Sequence, residues 1–440
     1  MSLFLRGTLV LVVTAFLGEC LEFVINMILA RELGEAGLGK YMSILPTIFL
    51  VVIIASFEFP ISISKFTAER DEKYHRHMLF YVFRFVVIMT VSLMLAVSLL
   101  FAVTPLFEGY HSGIRWLILI TIPIISFMSI MRGYFMGLQH MGKIAAGNLV
   151  RKALQLGLLI WVYQLFSFES KTAIFIALCT LIASEGLIFL YFLHAYILEL
   201  KGRRKNVHAA LSKKEVRNAL LSVSIPTTVL RIFHALTHAI QPFIIKIALV
   251  HAGMNEVMAN EHFGVLAGIA LTIGFFPAFI AYSLLVVLIP NVSEKVSKGD
   301  KEGLTSLLRQ VMWITLGYGV PAVTIFYFWG EPLTELFFHT TTAAYYLKLL
   351  WPYFLFHFFV MPMQAFLIGL GLVKDALLHT IWSTLLSFSL LYFLGSNSEF
   401  GMNGVIIGMN MGAVLITLLH YVTICRELEM TPWFKRTVRQ

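Results

Sequence analysis

The sequence predicts an all-α polytopic membrane protein with about twelve transmembrane helices, arranged as two six-helix halves. The first observation is composition: 59% of the 440 residues are hydrophobic and only 13% are charged. A soluble globular chain averages about 25% charged residues, so a large soluble domain is excluded. The second observation is that apolar runs of about 20 residues, long enough to span a bilayer as a helix, recur from end to end.

The apolar runs locate the individual helices to within a few residues. The helices are predicted to begin near Arg6, Tyr41, His77, Arg115, Ile144, Lys171, Ala219, Phe263, Leu304, Ala343, Ala376 and Met402, and the last to end near Cys425. The first run imitates a secretion signal. It lacks a small-residue cleavage site and continues to Ala30, so it is predicted to be an uncleaved spanning helix.

Most of the 33 Lys and Arg residues fall in the loops on one side of this helix arrangement. By the positive-inside rule, both termini are predicted to be cytoplasmic. The same asymmetry accounts for the net charge of +9 without a nucleic-acid partner. The three cysteines are odd in number and lack CxxC spacing, so neither disulfides nor a metal site is predicted. No cofactor is predicted either.

An internal repeat divides the chain into halves. PISISK (60–65) matches PNVSEK (290–295), and RGYFMGLQHMGK from Arg132 matches QAFLIGLGLVKD from Gln364 at nearly the same offset. Six helices per half put the repeats in parallel orientation, a pattern typical of transporters that bind substrate between the halves. The predicted domains are an N-terminal lobe (1–200), a basic cytoplasmic linker (201–217), a C-terminal lobe (218–425) and a basic cytoplasmic tail (426–440).

Two helices carry polar stripes through otherwise apolar sequence. In FLGECLEFVIN the residues Glu19, Glu22 and Asn26 are spaced i, i+3, i+7, which puts them on one helix face. A carboxylate at the centre of a membrane helix costs about 2.5–3.5 kcal/mol on insertion scales, so such groups face a cavity or a partner. Helix seven, at the equivalent place in the second half, carries a longer stripe of Thr227, Arg231, His234, His238 and Gln241.

Two interpretations of these stripes stay open. In a transport pathway, Glu19 and Glu22 would carry the coupling ion, a proton or sodium. The substrate would be contacted by Arg231, His234, His238, Gln241 and Asn26. Alternatively the stripes are a static pair that fixes helix packing, for example Glu22 with Arg231.

Three further ionisable residues lie in predicted helices. Glu58, in FEFP, is expected at a broken helix end, and Glu185 and Arg84 could line a cavity. Arg84 is also near enough to the inner face to extend its side chain to the headgroups. For all three, packing is the alternative to a functional role.

Four separated motifs occur in the order typical of one family: ILARELGEAGLGKYMSILP, FPISISKFTAE, RGYFMGLQHM and LIPNVSEKVSKGD. On these motifs the chain resembles the stage V sporulation protein B family. That family belongs to the superfamily of multidrug, oligosaccharidyl-lipid and polysaccharide exporters. The resemblance implies a two-lobed bundle around a central V-shaped cavity. It also implies flipping of undecaprenyl-linked glycans across the bacterial cytoplasmic membrane. Membrane lipids are expected as further partners.

Helix one departs from the pattern that this resemblance implies. Relatives that flip lipid diphosphates usually carry arginines there, because guanidinium groups make charge-assisted hydrogen bonds to phosphate. The corresponding positions here hold Glu19 and Asn26, and Glu22 replaces a usual glycine. Arg231 falls where the family often has a basic residue, so one candidate phosphate contact remains.

These observations lead to three hypotheses. The first is a flippase-like exporter of a lipid-linked glycan or another amphipathic substrate, acting in spore envelope assembly. The second is a cation-coupled exporter of small organic cations, which the acidic helix one favours. The third is a membrane scaffold whose transport site has degenerated. No arrangement of residues typical of an enzyme occurs in the sequence.

The acids of helix one provide the first test. If they line a transport pathway, Glu19→Gln and Glu22→Gln, singly and together, fail to restore function in a strain that lacks this protein, although membrane levels on immunoblots stay normal. Full complementation by the double variant would instead assign both acids to packing.

Overall fold

The structure, a computed structural model, describes residues 3–105, 107–202 and 213–431. These ranges are almost entirely helical, with short turns between the helices. Most of the predicted basic linker and most of the predicted basic tail lie outside the described residues.

Within the described ranges the helices are α1 (Leu3–Ser56), α2 (Phe59–Glu69), α3 (His75–Val103), α4 (Gly113–Gly137), α5 (Met141–Leu165), α6 (Ser170–Gly202), α7 (Lys213–His251), α8 (Glu256–Gly264), α9 (Leu271–Phe275), α10 (Ala278–Ser297), α11 (Lys301–Phe338), α12 (Thr342–Leu349), α13 (Trp351–Gly369), α14 (Val373–Gly395) and α15 (Met402–Glu427). A 3₁₀ turn (Glu72–Tyr74) precedes α3, and a π-helical segment (Val265–Ala270) joins α8 to α9.

In the described part of the chain, 11 helical stretches are long and apolar enough to cross a bilayer. The first, Val13–Ala68, contains the first two predicted helices, which meet at a kink at Gly34. The predicted helix five is present as α5, although its hydropathy keeps it out of this set. The prediction of an all-helical membrane protein with about twelve spans is therefore confirmed.

The predicted helix eight differs most from expectation. It begins at Glu256 rather than near Phe263, because the Asn255 side chain accepts a backbone N–H and caps the helix there. It then continues through the π-helical segment and α9 and, after a break at Pro277, as α10, so one predicted helix appears as two apolar stretches.

The described chain packs as two compact units. The first unit is residues 43–240, and the second unit is residues 3–42 with residues 241–431. The chain passes between the units inside α1 and inside α7. The predicted lobes, 1–200 and 218–425, lie on either side of the basic loop, so that each contains one copy of the internal repeat. These boundaries stay a prediction.

Glycines in the repeated motifs allow pairs of helices to approach closely. In the first unit, a Cβ on Gly137 of α4 would lie 2.8 Å from Ser64 O of α2. In the second unit, a Cβ on Gly369 of α13 would lie 2.6 Å from Val292 Cβ of α10. Small residues at membrane-helix contacts allow this close packing. The matched motifs therefore mark the same kind of helix contact, α2 with α4 and α10 with α13.

The motif ILARELGEAGLGKY organises the second unit. Arg31 Nη2 donates to Phe337 O at 2.9 Å, so it satisfies a carbonyl at the C-terminal end of α11. Gly34 has a φ of 64°, a left-handed conformation that glycine adopts readily. Gly39 packs so closely on α8 that a Cβ would overlap the backbone of Asn260.

At the end of the motif LIPNVSEKVSKGD, helix α10 ends and helix α11 begins. Asp300 Oδ1 accepts the Gly303 N–H at 2.7 Å and so caps α11. That bond, and then the hydrogen bond from Lys295, hold the pKa of the Asp300 carboxyl below its ordinary value. Because the folded-state pKa is lowered, the stabilising contribution is present above the unfolded-state pKa and is lost as pH falls through the folded one.

Glycine substitutions test the close contacts. Gly137→Ala should destabilise the protein by about 1–3 kcal/mol, because α2 leaves no room for a methyl group. Gly157→Ala in α5 is the matched control, since a Cβ there meets nothing within 4 Å. It should be neutral or stabilising, by up to about 1 kcal/mol. Thermal unfolding in detergent measures both changes, and equal effects would contradict the close contact.

Candidate substrate and ion-pair site

The chain is broken where α1 ends and α2 begins. Phe57 and Glu58 have left-handed φ values of 45° and 48°. Each such residue costs on the order of 1 kcal/mol or more, so the surrounding structure must hold the break in place. Pro60, in the first turn of α2, cannot continue a preceding helix, and Ser126 Oγ donates to the freed carbonyl of Ala55 at 3.0 Å.

This break presents Glu58 to α7. Arg231 Nη1 donates to Glu58 Oε1 at 2.5 Å. The carboxylate side chain is only 2% exposed, whereas the arginine side chain is 56% exposed. A buried carboxylate requires such a partner, because an isolated charge in a low-dielectric interior is strongly unfavourable. Glu58 thus orients a guanidinium whose other N–H donors remain available to an anion.

A second polar contact lies at the same helix interface. Ser224 Oγ of α7 donates to Ser62 Oγ of α2 at 2.8 Å, and both residues are fully buried. The ion pair of Arg231 is therefore with Glu58 at the break, whereas the packing alternative had suggested Glu22. The predicted broken helix end at Glu58 is the feature that creates the pair.

The two histidines of helix seven continue the face that begins at Arg231. His234 is half-buried and His238 is exposed, at spacings i+3 and i+7 from the arginine. The two imidazoles are close enough to interact electrostatically. Gln241, half-buried on the next turn, is the first residue of α7 in the second unit. The side chain of Thr227 lies outside the described set.

The acidic stripe lies in the second unit, on the N-terminal part of α1. Glu19, Glu22 and Asn26 are all half-buried. Glu19 is within electrostatic reach of Tyr282 of α10. A flanking face of the same helix is aromatic: Phe23 packs edge-on against Phe276, with ring centroids 5.5 Å apart. Whether the acidic and basic stripes share one space stays a prediction.

Glu185 has partners that the sequence interpretation missed. Arg151 Nε of α5 lies 3.4 Å from Glu185 Oε1 of α6. Arg132 of α4 donates to Asn148 and is also within electrostatic reach of Glu185. The sequence does indicate a polar face on α5. Asn148, Arg151 and the buried Gln155 are spaced i, i+3, i+7, so they lie on one side of that helix.

Arg84 lies apart from both clusters, on an exposed face of α3, with its guanidinium 4.3 Å from the centre of the Phe80 ring.

Within the described residues, no group of three or more His, Cys, Asp or Glu side chains is placed to hold a metal ion.

The Glu58–Arg231 pair predicts unequal effects of two neutralising changes. Arg231→Gln should lower stability by about 1–3 kcal/mol, because it leaves a buried carboxylate unpaired. Glu58→Gln should cost less, since the half-exposed guanidinium can be solvated. The double variant should recover much of the loss, and this coupling is measurable as a double-mutant cycle from thermal unfolding. Additive effects would contradict the pair. Lys298→Gln, which breaks an exposed ion pair with Glu294, is the control and should leave the melting temperature unchanged.

Comparison with curated proteins identifies relatives along the whole chain. The chain is 50% identical to sporulation protein YkvU of Bacillus subtilis, over 98% of this chain and 97% of that protein. It is 29% identical to stage V sporulation protein B of Bacillus subtilis, over 97% and 85% of the two chains. It is 23% identical to Lipid II flippase MurJ of Bacillus subtilis, over 73% and 63%.

The fold has a solved counterpart. An inward-facing multidrug resistance MATE family transporter of the MOP superfamily superposes with a TM-score of 0.73 and 17% identity, over 93% of this chain and 94% of that one. The family model described as polysaccharide biosynthesis protein matches residues 4–253, more than half of the chain, and the MatE model matches residues 265–423. The chain is therefore a multi-pass membrane protein that belongs to the polysaccharide biosynthesis protein family.

Proposed function

We propose that this protein moves a lipid-linked glycan or polysaccharide precursor across the bacterial cytoplasmic membrane by alternating access, and that it does so during assembly of the spore envelope. The sporulation relatives support the context, and the relative named as a Lipid II flippase supports the substrate class. Both termini would be cytoplasmic, and the lobes 1–200 and 218–425 would move against each other around a central cavity.

The observation that carries the proposal is the Glu58–Arg231 pair. A lipid-linked glycan has a phosphate or diphosphate between lipid and sugar, and arginine binds such groups through charge-assisted, often bidentate hydrogen bonds. Glu58 fixes the guanidinium from its buried side, while more than half of the arginine side chain stays accessible. A phosphate that binds the other N–H donors of Arg231 competes with the Glu58 carboxylate for the charge of the same guanidinium. Binding therefore weakens the contact between α7 and the break before α2, which couples substrate to helix movement.

The remaining candidates take supporting roles in this scheme. His234 and His238 extend the arginine face by two turns and would contact the anionic headgroup, with Gln241 and Asn26 as neutral hydrogen-bonding groups for sugar. Glu19 and Glu22 would carry the coupling ion, a proton or sodium, or bind an amine or sugar. The role is transport, with no covalent chemistry assigned to these residues.

A second function is favoured by a different observation. The acids of helix one are half-buried rather than fully exposed, and the fold resembles that of a multidrug transporter. Acidic groups at partial burial suit the binding of an organic cation, so export of small organic cations is the alternative.

Transport by purified protein in proteoliposomes distinguishes these functions. Wild-type protein should translocate a fluorescent lipid-linked oligosaccharide, measured by its accessibility to a membrane-impermeant quencher. The double variant Glu58→Gln/Arg231→Gln should be at least about tenfold slower, since each tenfold loss corresponds to about 1.4 kcal/mol of lost binding. In the double variant both side chains are uncharged. A loss of transport therefore cannot result from a buried charge without a partner. Lys298→Gln should transport at the wild-type rate.

Other outcomes would redirect the proposal. A double variant as fast as wild type would reduce the pair to a packing contact. Uptake of ethidium driven by a proton or sodium gradient, without movement of the lipid, would favour the cation exporter. Absence of both activities in folded protein would favour the scaffold hypothesis.

A further inference from the structure

The first unit contains a cavity that the proposed transport site does not use. It lies where the start of α2, the middle of α3 and the first turns of α7 come together, and its volume is about 650 Å³. Its floor continues into an apolar core that includes Phe59, Val82 and Leu220. The cavity has two parts of different chemistry, a cationic rim and an apolar body.

Arg84 of α3 and Arg217 of α7 form the cationic rim. The residues described as lining the cavity include no carboxylate. Among residues 3–105, 107–202 and 213–431, neither guanidinium makes an ion pair, in contrast to Arg231 and Arg151. Within the same ranges, the guanidinium of Arg84 lies over the face of the Phe80 ring. Two unpaired positive charges at one cavity attract an anion.

The body of the cavity is apolar and aromatic. Phe85 and Ile88 of α3 line it next to Arg84. Ile88 is 67% exposed, and it lies in a span whose sequence is strongly hydrophobic, so this face of α3 is predicted to contact lipid. A small water-soluble anion would satisfy the arginines but leave this apolar surface uncovered. A molecule that joins a phosphate to a hydrocarbon chain satisfies both parts.

We propose that this cavity binds an anionic phospholipid of the surrounding bilayer, with its phosphate between Arg84 and Arg217 and an acyl chain along Phe85 and Ile88. Arginines near a membrane surface attract anionic headgroups, and the guanidinium geometry fits a phosphate. The bound lipid would bridge α3 and α7 and contact Phe59, the residue after Glu58. It would therefore stabilise the helix contact that holds the Glu58–Arg231 pair.

Lipid retention by the purified full-length protein tests this site. In native mass spectrometry, wild-type protein should retain phosphatidylglycerol in preference to phosphatidylcholine added at the same concentration. Arg84→Gln and Arg217→Gln should each weaken phosphatidylglycerol binding by about fivefold, the equivalent of about 1 kcal/mol per arginine. Arg84→Lys should retain part of the binding, because it keeps the charge but loses the planar hydrogen-bonding fork.

Two further variants distinguish a specific lipid-binding site from non-specific electrostatic attraction of anionic lipid. Lys214→Gln removes one charge from the same end of α7 without touching the cavity, so it should leave binding unchanged. Ile88→Trp alters no charge but fills the apolar body, so it should weaken binding at least about fivefold.

Three results would overturn the proposal. Equal retention of the two phospholipids by wild-type protein would remove the anionic preference. Displacement of phosphatidylglycerol by inorganic phosphate at the same concentration would show that the apolar body contributes nothing. Preferential retention of undecaprenyl phosphate would assign the cavity to a single-chain carrier lipid instead. None of these readouts involves transport, so failure here is distinguishable from failure of the proposed function.

Discussion

A helix that bends or ends inside a bilayer must find partners for its free backbone groups, because no water is present to supply them. This constraint governs the irregular points of the molecule. Ser126 satisfies the carbonyl of Ala55 at the break before α2. Asn410 of α15 donates to the last carbonyl of α12. Arg31 donates to the Phe337 carbonyl at the end of α11. Each of these three carbonyls is therefore held by a side chain from a different helix.

The same constraint explains why a charged pair lies at the break. Left-handed backbone at Phe57 and Glu58 is unfavourable unless neighbouring helices hold it. The ion pair with Arg231 and the Ser62–Ser224 hydrogen bond hold it from α7. A group that binds Arg231 consequently acts on the backbone conformation of the break. In a transporter, binding of a ligand to Arg231 would therefore change the helix geometry at the break through the single contact between Arg231 and Glu58.

The intramembrane charges of the first unit are thus not equivalent. Arg231 is paired one-to-one with a buried acid, while Arg132 and Arg151 share Glu185. Arg84 lies against an aromatic ring at a cavity. Since the cost of a charge in a membrane depends on its partner and its access to water, these arrangements support three different roles. The first arrangement is the one proposed to bind substrate, the second suits helix packing, and the third is the one proposed to bind lipid.

The sequence by itself determined the helical class, the number of spans to within a few, and the motifs that mark helix contacts, because apolar run length and glycine spacing are local properties. It also singled out Glu58 and Arg231, since ionisable residues in apolar segments are conspicuous. Only the tertiary structure decided that these two are partners, across 173 positions of the chain, and that Glu185 belongs with Arg132 and Arg151. The physical reason is that an ion pair depends on which helix faces meet, and that is set by packing between segments distant in sequence.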